Sequence, residues 1–77
     1  MQSASRISLS DNFQFKMFAE AMNTWNHNRE LLTPYDREFY TKMRDGWNWS
    51  KRDLTLTVKQ MNHLTTVAAA IKGGTYD

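Results

Sequence analysis

Residues 54–74 read LTLTVKQMNHLTTVAAAIKGG, and their pattern sets the fold class of the chain. Thr57 stands where a hydroxyl caps a helix, and Gln60, three residues on, can reach back to the cap's own N–H. Leu56 before the cap and Met61 at the fourth helical position have the spacing of a hydrophobic staple. Met61, Leu64, Ala68 and Ile71 then recur at steps of 3, 4 and 3, with Val67 widening the stripe. Lys72 followed by Gly73 is a cation-then-glycine ending. The stretch predicts a helix over residues 57–72.

The same rhythm recurs upstream. Phe15, Phe18, Met22 and Trp25 repeat at 3, 4 and 3, with Phe13, Met17 and Ala21 on a flanking row. This predicts a helix over residues 10–27, capped by Ser8 or Ser10 with Asp11 in its first turn. Both rows read as core, with a protruding Phe or Trp as a partner anchor the alternative. Residues 26–32 form a connector. Thr33-Pro34-Tyr35-Asp36 then opens a second helix: threonine caps, proline needs no N–H at the first position, and aspartate sits in the first turn. Tyr35, Phe39 and Met43 follow at spacing four, Tyr40 and Trp47 suggest a second row, and Asp45-Gly46 reads as the exit, giving residues 34–45.

Between these helices the pattern is weaker. Ser50 to Asp53 has the spacing of a capping box and could begin one short helical turn. Leu54, Leu56 and Val58 alternate with threonines as a short strand would, but no other segment alternates convincingly, so the reading is an extended lead-in. Residues 1–9 are polar and read as a mobile tail; residues 74–77 are expected to fray.

With 77 residues, the chain is at most one domain, near the size where a lone core is marginal. It has no cysteine, so neither disulfides nor a thiolate metal site supports it. Three Trp, three Tyr, four Phe and five Met are its stabilising resource. A net charge of +2 permits nucleic-acid binding without demanding it. The amino end lacks the apolar core of a signal peptide, and no stretch approaches the roughly 18 apolar residues of a membrane span. The expectation is a cytoplasmic protein with no membrane partner.

Catalytic signatures are missing. His27 and His63 are the only histidines, on separate predicted helices; Asp36 or Glu30 could complete a metal site, but no spacing fixes a geometry. There is no GxSxG elbow, and Gly73-Gly74 follows a helix, so it is no phosphate cradle. No metal, cofactor or catalytic residue is expected, and the chain reads as no enzyme.

What remains is the middle. Arg37, Lys42, Arg44, Lys51, Arg52 and Lys59 put six of the ten cations between positions 37 and 59, interleaved with Tyr40, Trp47 and Trp49. Rings among cations suit single-stranded nucleic acid and also protein interfaces. Alternatively Trp47 closes the core and the cations form a solvated face. Asp36, Glu38, Asp45 and Asp53 dilute the patch, which favours protein over nucleic acid.

Leu32, Thr33, Asp36 and Phe39, followed by Leu56, Thr57, Lys59, Gln60 and Leu64, fit a loose pattern L-[ST]-x-x-[DE]-x-x-F … L-T-x-K-Q-x-x-x-L. Residues 32–71 thereby resemble a helix pair of phage and bacterial accessory proteins tied to nucleic-acid transactions. The resemblance covers about half the chain and leaves the first helix unmatched. It implies a small phage or mobile-element protein that binds and redirects a larger enzyme.

The expected fold is all-α: three helices around Phe15, Phe18, Met22, Trp25, Phe39, Met43, Leu56, Met61, Leu64 and Ile71. The expected function is non-enzymatic binding and modulation of a larger nucleic-acid-processing or host-defence enzyme through Tyr40, Arg44, Trp47, Trp49, Lys51 and Arg52. The alternatives are direct binding of single-stranded DNA or RNA by the same patch, and self-assembly into a homo-oligomer.

Overall fold

Thr57 and Gln60 make the reciprocal cap that their spacing predicts. Gln60 N–H donates to Thr57 Oγ1 at 3.0 Å, and Thr57 N–H donates to Gln60 Oε1 at 2.9 Å. In the computed structural model, which describes residues 6–76, this cap starts helix α3 (Val58–Gly73). Gly74, one residue later than expected, takes the left-handed conformation at φ 74° and ends it. Leu56 and Met61, the predicted staple pair, are both buried.

The other elements are strand β1 (Arg6–Ser8), helix α1 (Asn12–His27), helix α2 (Pro34–Ser50) and strand β2 (Thr55–Thr57); short 3₁₀ turns at Arg29–Leu31 and Lys51–Asp53 follow α1 and α2. The fold is a small all-α three-helix domain, with one strand pair laid across it. α1 and α3 form the main packing interface, pinned by the Trp25 indole N–H, which donates to the Leu64 carbonyl at 2.9 Å. Trp25 is fully buried; Tyr40 of α2 stacks on it at 6.2 Å and Phe39 tilts against it at 5.6 Å. All ten expected core residues are buried or partly buried, except that Phe15, Met22, Phe39 and Ile71 keep an exposed edge. Leu9 and Leu32 join them.

Five local expectations are corrected. The lead-in before α3 is a strand after all: β2 pairs antiparallel with β1, in the register Arg6↔Thr57, Ile7↔Leu56, Ser8↔Thr55. The partner is three residues long with a single apolar side chain, too short for alternation to show. The expected mobile tail is therefore ordered from Arg6 onward, and Leu9 is wholly buried; residues 1–5 and Asp77 lie outside the described residues. Asp11 caps α1, accepting from Phe13 N–H at 3.1 Å, because Ser8 is committed to β1 and its hydroxyl to Ser10.

α2 runs through Gly46 to Ser50. Gly46 is not a terminator: a Cβ there would stand 3.0 Å from Leu54 Cδ1, so its smallness admits the leucine. The helix stops at Lys51, whose φ of 52° is the only positive value at a non-glycine among the described residues. No side chain caps the turn at Lys51–Asp53, so the expected Ser50–Asp53 box does not form. Among the described residues no helix is long and apolar enough to cross a membrane.

Candidate functional site

The extension of α2 decides what the six predicted contact residues do. At about 100° per residue, Trp47 and Trp49 point roughly 200° apart on one helix. Trp47 turns inward, stacking on Phe15 at 5.5 Å and tilting against Phe18 at 5.9 Å. Trp49 turns outward and is 89% exposed, the most exposed large apolar side chain among the described residues.

Tyr40 is buried beneath Trp25, and its hydroxyl donates to Asn26 Oδ1 at 3.1 Å. Arg52 is also structural. Its Nε–H donates to the Leu9 carbonyl at 3.0 Å, its terminal nitrogen donates to the Ser10 carbonyl at 3.3 Å and Asn12 Oδ1 at 2.6 Å, and its plane lies 4.3 Å from the Phe15 ring centroid. That arginine fastens the chain between β1 and α1 to the turn after α2. Arg44 and Lys51 are exposed, with Arg44 5.9 Å from the Tyr40 ring and the Lys51 ammonium 5.8 Å from Trp47.

The six residues therefore do not form one patch. Tyr40, Arg44 and Trp47 border a groove of about 310 Å³ between α1 and α2, floored by Phe18 and Met22. Trp49 shares its helix face with Glu38, Lys42 and Asp45, at spacings of 11, 7 and 4, all of them exposed. That face is mixed in charge around a single indole. Lys51, two residues beyond, holds a backbone conformation that side chains rarely adopt, and such strain clusters at functional positions.

A second constellation was not legible in the sequence. Asp36 is buried, with Oδ1 2.8 Å from His63 Nε2 and Oδ2 accepting from the Tyr76 hydroxyl at 2.6 Å. The Tyr76 oxygen in turn accepts from Thr33 N–H at 3.0 Å. Asp36 N–H donates to Thr33 Oγ1 at 3.2 Å, so the predicted cap forms part of the same network. Since Asp36 accepts, His63 carries its proton on Nε2. The imidazole is bounded by the rings of Phe39 at 4.9 Å, Trp25 at 6.0 Å and Tyr35 at 6.1 Å. The sequence paired Asp36 with His63 only as a possible metal set. Among the described residues no cluster of three or more His, Cys, Asp or Glu side chains could hold a metal. Both carboxylate oxygens are occupied within the fold, so the network joins the start of α2, the middle of α3 and the C-terminal segment.

No protein-family model, no curated protein and no solved structure matches this chain.

Proposed function

We propose that the chain is a small, non-enzymatic interaction module of phage or mobile-element type. On this reading it works in the cytoplasm, binding and modulating a larger nucleic-acid-processing or host-defence enzyme. The enzyme class rests on the resemblance of residues 32–71 to accessory helix pairs. The binding role rests on Trp49. An indole is among the side chains that bury the most area at an interface, and Trp is the residue most enriched among interface anchors. Trp25 and Trp47 are used in packing, whereas Trp49 is left 89% exposed on the last turn of α2.

The mixed charges of Glu38, Lys42 and Asp45 around Trp49 suit a protein surface better than a phosphate backbone. Stacking of single-stranded bases around Trp49 would need further free rings beside it, and Tyr40 and Trp47 are both engaged in packing. Contact through Trp49, with Lys51 two residues on, replaces the six-residue set. Replacing Trp49 with Ala should weaken partner capture by at least about 30-fold, the loss expected for an anchor worth about 2 kcal/mol, with the helical circular-dichroism signal unchanged. Unchanged capture by a folded Trp49→Ala variant would remove the anchor.

A further inference from the structure

A second surface lies on another flank of α2. Where the end of α1, the turn at Arg29–Leu31 and α2 meet, a groove of about 720 Å³ opens, within the range of ligand sites. Arg29, Arg37 and Arg44 line it, together with His27, Thr41 and one carboxylate, Glu30; all six are exposed. Among the described residues none of the three arginines has a carboxylate within ion-pair distance, the one such pair being His63–Asp36. Three arginines against one glutamate concentrate in this groove a formal charge equal to the +2 of the whole chain.

Two of the three arginines touch the groove's walls, and all three keep most of their donors free. Arg37 reaches the Leu32 carbonyl with one terminal nitrogen at 3.4 Å, and Arg44 lies 5.9 Å from the Tyr40 ring centroid. The bond from Tyr40 to Asn26 ties α2 to the end of α1 and fixes the floor beneath them. Arg37 and Arg44 are seven residues apart, about 10 Å along the axis and on nearly the same flank, with Thr41 between. Trp49 is about 140° further round the helix from Arg44.

We infer that this groove binds the phosphodiester backbone of single-stranded nucleic acid, without reading its bases. Guanidinium forks match phosphate oxygens bidentately, and a threonine hydroxyl between them adds a donor of the kind that phosphate contacts use. The open, two-turn run of cations suits a strand that passes through it. Of the two rings in the lining, Tyr40 is buried against Trp25 and His27 is a lone imidazole with Nδ1 3.0 Å from the Asn23 carbonyl, so no run of stacking platforms is offered and the contact is indifferent to sequence. An acidic peptide would add apolar side chains that need pockets, and every exposed side chain of the lining ends in a polar group.

The test is fluorescence anisotropy of a labelled oligothymidine on the full chain, between about 50 and 200 mM salt. Three phosphate contacts predict a log–log salt slope of about −2. Arg37→Gln with Arg44→Gln should lower low-salt affinity at least about tenfold and flatten the slope to about −0.7. Arg29→Gln should give a smaller loss of the same sign, and Trp49→Ala no loss, which separates this surface from the proposed protein anchor. Circular dichroism confirms that each variant is folded. The inference is overturned by no binding at low salt, by an arginine double variant that binds as wild type, or by an equal loss in Trp49→Ala. It is also overturned if polyglutamate of matched charge competes as well as the oligonucleotide, or if a duplex of equal phosphate count binds more tightly.

Discussion

The Tyr76 hydroxyl donates to Asp36 Oδ2 at 2.6 Å, joining positions 40 residues apart. It places the penultimate residue of the chain inside the hydrogen-bond network that starts α2. Tyr76→Phe would leave the Thr33 N–H without its acceptor and one oxygen of a buried carboxylate without its donor. The expected cost is about 1–3 kcal/mol, read as a lower urea midpoint with an unchanged slope. A midpoint equal to that of wild type would mean that the C-terminal segment does not hold α2.

Asp36 and His63 should behave as one unit. Each single substitution to alanine breaks the same 2.8 Å bond, so the double variant is expected to fall short of the summed losses by about 0.5–3 kcal/mol. A double-mutant cycle in chemical denaturation measures this. Strict additivity would show that the two side chains stabilise the fold separately.

Lys51 offers the opposite sign. Its φ of 52° with ψ of −129° is a region that glycine enters freely and lysine enters at a cost of about 1–3 kcal/mol. After the greater chain entropy of glycine is subtracted, Lys51→Gly is expected to stabilise by about 1 kcal/mol. Thermal unfolding tests this, and a lower melting temperature would show that the backbone there is unstrained.

Arg52 holds the amino-terminal strand more than it meets a partner. Arg52→Ala should speed amide exchange at Leu9, whose N–H donates to the Leu54 carbonyl at 3.3 Å, while the middle of α3 stays protected. Lysine should not restore protection, because an ammonium lacks the fork that spans Leu9, Ser10 and Asn12. Uniform exchange changes across the chain would assign Arg52 to global stability instead.

The helix starts at Thr33 and Thr57 could be read from the sequence because capping is chemistry between neighbours three residues apart. The core stripes were legible for a similar reason, since period 3.6 is visible within two turns. The β1–β2 pair and the Asp36–His63–Tyr76 network join segments about 27 to 50 positions apart, and no local pattern records such a pairing. Gly46 misled because glycine after a helix and glycine beneath a leucine look alike in a sequence. Ending α2 there also concealed the opposite orientations of Trp47 and Trp49. Once the helix continues to Ser50, its period sends one indole into the core and the other into solvent.

The most direct measurement is affinity capture from a nuclease-treated lysate of the native host, comparing wild type with a folded Trp49→Ala variant at matched loading. The proposal predicts a defined protein retained by wild type and lost with Trp49→Ala, with sedimentation showing the free chain monomeric. Equal retention by both proteins, or capture that disappears whenever nucleic acid is removed, would contradict it.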